Sequence, residues 1–239
     1  MQVIQRFCLF AIILTGASAC FNPPDFPVTP QIEFESIRYK EVGTGSDAKF
    51  DSLILTVSFK DGDGDLGLAA DETGCVSEDI CYNNKFYFIK ANKKPVNYKD
   101  KRTDPNFSSL PAFIKPFNCT NWEVRTNNGV TDTLYFELNP NHYNIEVDFL
   151  VKNGDGTFTE FDWREEFDYP NCGGTFDGRF PILYKEETGS PLEGKIRYGM
   201  VSPGFKALFS IKTLKLRVQI KDRALNKSNI VETAEFTLQ

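Results

Sequence analysis

The amino-acid sequence predicts an all-β protein, an antiparallel β-sandwich interrupted by one long loop-rich insertion. Three observations carry that expectation. Apolar and polar residues alternate strictly in several segments, which is the period of a strand with one buried face. Strand patterns follow one another with turn residues between them and no helical pattern separating them, so antiparallel sheets are expected, not a parallel sheet covered by helices. Phenylalanine is plentiful, 22 among 239 residues, and aromatic richness favours strands.

The chain opens with Arg6 ahead of the apolar run Phe7 to Leu14 and the small residues Gly16-Ala17-Ser18-Ala19. A charged start, a short apolar core and small residues before a cut site mark residues 1–19 as a secretory signal. The apolar run is far short of the ~20 residues that span a bilayer. Ala17-Ser18-Ala19-Cys20 resembles the bacterial lipobox, which implies cleavage before Cys20 and acylation of its thiol. Residues 20–30 then carry Pro23, Pro24, Pro27 and Pro30, a composition suited to an extended tether. Several acyl chains would anchor it stably, since each buried methylene contributes about 0.8 kcal/mol and one chain binds only marginally.

Residues 31–239 are expected to form a single domain, long enough to bury a proper core. In order, strands are expected near Ile32 to Tyr39 and at Leu53, Leu55, Val57 and Phe59, which alternate with Ile54, Thr56, Ser58 and Lys60. From about 71 to 130 the pattern weakens and Pro95, Pro105, Pro111 and Pro116 break any long element. This insertion reads as one strand, Lys85 to Ala91, plus long loops, with a second small domain inside it as the alternative. Strands resume at Thr133 to Leu138 and at Ile145, Val147, Phe149 and Val151. Asn153-Gly154-Asp155-Gly156 reads as a hairpin turn leading to Phe158 to Trp163. Lys195 to Met200 follows, then the clearest alternation, Leu214, Leu216, Val218 and Ile220 against Lys215, Arg217, Gln219 and Lys221. A last loop over 223–229 leads to Ile230 to Leu238.

Removing residues 1–19 takes away only Arg6 among charged residues, leaving 26 basic against 33 acidic side chains, a formal charge of −7. That balance argues against a nucleic-acid partner. Beyond Cys8 and Cys20, four cysteines remain: Cys75, Cys81, Cys119 and Cys172. An even set in an exported chain suggests disulfides. Three pairings exist, and Cys75 with Cys81 plus Cys119 with Cys172 is favoured. Zinc is a poor rival, because no C-x-x-C spacing occurs and His142 is the sole histidine.

Two segments, Val57 to Gly67 with its DGDGDLG run and Asp222 to Thr233 with its DRA-x-N-x-S-N turn, resemble a group of small Bacteroidetes outer-membrane lipoproteins of unknown function. The resemblance covers both ends of the domain and omits 71–205. It implies an Ig-like sandwich and an outer-membrane address. Phe21, where a retention signal would place Asp, agrees with that address. Only Asp25 stands where surface-exported relatives carry an acidic cluster, which favours the periplasmic face over the cell surface.

Asp61, Asp63 and Asp65 set three carboxylates at alternate positions of a glycine-rich turn, and Glu72 falls at the twelfth position of a calcium-loop count. Leu66 stands where such a loop has glycine, and a strand, not a helix, precedes it. A tight turn, in which Asp and Gly serve the backbone, is therefore the preferred reading, with calcium the alternative. Asp51-Ser52-Leu53 and Asp132-Thr133-Leu134 resemble the O-glycosylation acceptor of this bacterial group, which points to Ser52 and Thr133. Asn118-Cys119-Thr120 is a eukaryotic-type sequon and carries no weight here.

No nucleophile elbow, phosphate loop, zinc-protease motif or dinucleotide fingerprint occurs, and His142 lies in a polar turn. Glu165 and Glu166 beside Trp163 could suggest a glycosidase pair, but adjacent strand residues face opposite sides and a solvated acidic loop is preferred. Trp122 and Trp163 are candidates for a glycan platform, although sandwich aromatics usually fill the core. The expected function is therefore non-enzymatic: a membrane-anchored accessory or assembly partner of another envelope protein, with glycan binding as the alternative and a hydrolase third. Calcium is the one cofactor the sequence suggests.

Overall fold

The computed structural model describes residues 24–42, 50–77, 79–113, 121–163, 175–184 and 189–238. Cys20, Cys119, Cys172, Glu165 and Glu166 lie outside them. The fold is all-β. Strand β1 (Gln31–Val42) pairs antiparallel with β2 (Phe50–Asp61), and β2 pairs on its other side with β8 (Leu192–Ser202). The second sheet runs β10 (Val231–Glu232), β9 (Leu214–Ile220), β6 (Ile145–Lys152), β7 (Phe158–Glu160), all antiparallel. The turn at 153–157 closes the β6–β7 hairpin as its Asn-Gly-Asp-Gly run predicts.

The two sheets share one core, and the alternation read in the sequence decides which residues enter it. Leu53, Leu55, Val57 and Phe59 of β2 are at most 5 % exposed, and Leu214, Leu216, Val218 and Ile220 of β9 at most 1 %. Ile145, Val147 and Phe149 of β6 complete the opposing face. One end of this core is aromatic. Phe149 packs against Trp163, Phe176, Phe205 and Phe209 with ring centroids 5.0–5.8 Å apart, which accounts for part of the phenylalanine richness.

The insertion is more structured than one strand and loops. Strands β3 (Lys85–Tyr87), β5 (Val130–Leu138) and β4 (Trp122–Asn127) form a separate three-stranded sheet. A helix at Tyr98–Thr103 begins with a capping box, in which Asn97 Oδ1 accepts from Asp100 N and an Asp100 oxygen accepts from Asn97 N. Val96, Trp122 and Tyr135 make a small core of their own. The sequence reading missed β4. Its signal is Asn128-Gly129, whose φ angles of 48° and 75° are those a type I′ hairpin needs.

Candidate metal centre

The inward stripe of β2 does not end on an apolar residue. Continuing Leu53, Leu55, Val57, Phe59 by two places reaches Asp61, whose side chain is carried inward by the same alternation and is fully buried. The inward stripe of β9 does the same: after Leu214, Leu216, Val218 and Ile220 comes Asp222, 2 % exposed. The two sheets therefore each place a buried aspartate at the same end of the sandwich. Past Asp61 the chain turns, and Asp63 and Asp65 bring two further carboxylates to the spot. One oxygen from each of Asp61, Asp63, Asp65 and Asp222 lies within 4.8 Å of the others.

The glycines between these aspartates explain how the turn fits. A Cβ on Gly62 would sit 2.3 Å from the Phe26 carbonyl oxygen, and the Gly62 N–H donates to Pro27 O at 2.8 Å. Gly64 adopts φ +64°, and a Cβ there would meet Ser190 O at 2.3 Å. Asp63 O, in turn, accepts from Gly189 N at 2.5 Å. The Asp-Gly alternation thus sends carboxylates to one side and lets two other chain segments close against the other.

Hydrogen bonds satisfy only part of the cluster. Asp61 Oδ2 accepts from Asp65 N at 3.1 Å, and the two Asp222 oxygens accept from Asn226 N and Nδ2, each at 2.7 Å. Asp61 Oδ1, Asp63 Oδ1 and Asp65 Oδ1 are buried with no hydrogen-bond partner among the described residues. The basic neighbours of Asp222 are committed elsewhere. Lys221 pairs with Glu146 at 2.9 Å and donates to Pro140 O, and Arg223 pairs with Glu72.

Clustering has the electrostatic consequence it must. Burial, then the charges of Asp63, Asp65 and Asp222, push Asp61 up to about 7 from the ordinary 3.8. Burial, then Asp222 and Asp63, push Asp65 up to about 6, and Asp222 is raised chiefly by burial. Four carboxylates with three unpaired oxygens present an all-oxygen, strongly anionic cage. Such a donor set suits a hard cation, and calcium, with its larger and more flexible shell, more than magnesium or zinc.

Glu72, counted in the sequence as the fourth calcium ligand, does not join the cluster. Its carboxylate takes Arg223 in a two-pronged pair at 2.9 and 2.5 Å and also accepts from Ala69 N at 3.2 Å. The Arg223 guanidinium accordingly holds its carboxyl below the usual range. Asp222 supplies the fourth carboxylate from a distant loop. The sequence signal for it was its phase in the β9 alternation.

The remaining candidates separate clearly. Cys75 and Cys81 form a disulfide. Ser52, one of the two O-glycosylation candidates, is 8 % exposed on the central strand β2. Thr133 is half-buried on β5. Trp122 and Trp163 are 1 % and 7 % exposed and offer no platform to a glycan. His142 Nδ1 lies 2.9 Å from Tyr82 O and from an Arg179 nitrogen, and burial lowers its pKa. No helix among the described residues is long and apolar enough to cross a membrane. No protein-family model, curated protein or solved structure matches this chain.

Proposed function

We propose that this chain is a calcium-binding lipoprotein of the outer membrane, anchored through Cys20, whose Ig-like sandwich serves a non-enzymatic accessory or assembly role beside another envelope protein. The observation that carries the calcium part is the set of three buried, unpartnered carboxylate oxygens converging with Asp222. Left without a cation, each such oxygen costs desolvation energy that nothing returns. A cation there ties the end of β2 to the loop after β9 and so joins the two sheets. Calorimetric titration of the purified, detergent-solubilised chain tests it: calcium is expected to bind with a rise in melting temperature, and no heat and no shift would refute it.

The anchoring and partner parts rest on the signal-like start, the lipobox-like residues before Cys20 and the proline-bearing segment after it. Intact-mass measurement is expected to show acyl chains on Cys20. Detergent pull-down with a tagged chain is expected to recover one stoichiometric envelope protein, and a clean monomer would count against the accessory role.

A further inference from the structure

Beside the cation cage lies an open cleft of about 450 Å³, walled by Asp63, Asp65, Val76, Ile80, Tyr82 and Arg223. Asp63 and Asp65 belong to both the cage and the cleft, and both are half-buried, whereas Asp61 and Asp222 close the cage from the core side. A cation held by the four carboxylates would be covered by Asp61 and Asp222 on the core side and would border the cleft through Asp63 and Asp65, whose Oδ1 atoms are themselves buried. We propose that this cleft side is a calcium-dependent binding site for a neutral saccharide, which coordinates the cation through two neighbouring hydroxyls. This rests on the calcium reading above.

Three features select that ligand chemistry. The first is coordination number. Calcium takes about 6–8 oxygens at roughly 2.3–2.6 Å, while Asp61 and Asp222 already spend carboxylate lone pairs on Asp65 N and on Asn226. Four carboxylates binding through one oxygen each leave about two or more positions for other oxygens, and the cleft is the side from which a ligand can bring them. The second is charge. Four carboxylates carry −4 and a calcium ion +2, so the loaded cage keeps −2. Arg223, the one cation on the cleft wall among the described residues, is already matched by Glu72. A phosphate or carboxylate would meet net repulsion, and neutral oxygen donors would not. The third is shape. Val76 is 70 % exposed, and with Ile80 it presents the apolar side of the disulfide-closed loop 75–81 to the cleft. A sugar ring offers hydroxyl pairs on its edge and C–H groups on its face, which match a cation on one wall and aliphatic carbon on the other. A peptide offers single carbonyls spaced along its chain and fits two adjacent vacancies less well.

Terbium luminescence on the full chain tests this, because terbium occupies calcium cages, Tyr82 on the cleft wall can sensitise it, and its lifetimes in light and heavy water count bound water. About two or more waters are expected on the protein-bound ion. Neutral saccharides with terminal mannose, galactose, glucose or N-acetylglucosamine are then added in turn. At least one is expected to lower the count by about two, the number of hydroxyls a diol supplies. Val76→Trp, which fills the cleft from an exposed position, should leave terbium binding unchanged and abolish the saccharide effect. A protein-bound ion with no remaining water overturns the proposal, as does an ion whose waters no saccharide displaces. Displacement by short uncharged peptides and by no saccharide also overturns it and assigns the cleft to a protein chain. Failure of terbium and calcium to bind at all overturns the calcium reading itself, so the two failures are told apart.

Discussion

The two ends of strand β2 pose the same physical problem and meet it differently. Its inward stripe begins at Asp51, 5 % exposed, and ends at Asp61, fully buried. At the first end, Asp51 Oδ2 accepts from Lys206 N at 2.9 Å, at the start of the short helix Phe205–Phe209 whose two phenylalanines fill the aromatic end of the core. A backbone N–H near a helix start is a natural partner for a carboxylate, so this end is complete within the chain itself. At the other end Asp61 meets three more carboxylates and keeps an oxygen unpaired. A buried aspartate at a stripe end is thus met here by a backbone N–H and there by further carboxylates that leave an oxygen for the proposed cation.

The sharpest way to break the contrast is to remove one ligand at the ion end. With calcium about 100-fold above its dissociation constant, the wild-type chain should gain ~2.7 kcal/mol, a rise of roughly 5–10 °C in melting temperature. Asp61→Asn and Asp222→Asn should each abolish most of that gain. Calorimetric scans with and without a chelator measure it, and a variant that keeps the full gain would remove that residue from the cage.

Acidity should separate the ends as well. Because Asp61 and Asp65 titrate near 7 and 6 in the fold and near 3.8 when unfolded, the ion-free fold binds more protons than the unfolded chain between those values. Their contribution to stability is therefore greatest at low pH and is lost as pH rises through about 6 to 7. Calcium needs the ionised carboxylates, so its affinity should rise across the same window and level off above it. Melting curves of the chelated chain from pH 5 to 8 should slope downward with pH relative to Asp61→Asn, and calcium should flatten the slope. A chelated chain whose slope equals that of the variant would contradict the raised values.

Glu72 provides a neighbouring control. Glu72→Gln leaves the Arg223 guanidinium without its charged partner and should cost about 1–2 kcal/mol while preserving the calcium-induced shift. Loss of the shift in this variant would return Glu72 to the ligand set. The smallest effect is expected at the complete end, where Asp51→Ala should cost about 1 kcal/mol in chelator and calcium alike. Dependence of that cost on calcium would show that the two ends communicate.

Much of this was legible residue by residue. Period-two alternation placed Leu53, Phe59, Leu214 and Ile220 in the core, and the Asn-Gly-Asp-Gly run placed the β6–β7 turn, because both depend on near neighbours along the chain. The small sheet was read poorly. Trp122, Val124 and Thr126 do alternate with Glu123, Arg125 and Asn127, but only Trp122 of the six is buried, so hydrophobicity alone marks the strand weakly. Its core of Val96, Trp122 and Tyr135 gathers residues from three separate segments.

At the candidate site, the sequence by itself carried the phase that turns Asp61 inward at the end of β2, since the pleat fixes the direction of every second side chain once a strand's buried face is known. It also determined that three aspartates share a glycine-rich turn. Only the tertiary structure decided which fourth carboxylate completes the cage. The count along the loop favoured Glu72, but packing of the two sheets brings Asp222 to the aspartates and gives Glu72 to Arg223. Spacing along a chain specifies contacts only while one element continues, and which loops meet at the end of a sandwich depends on how both sheets bury their apolar faces together.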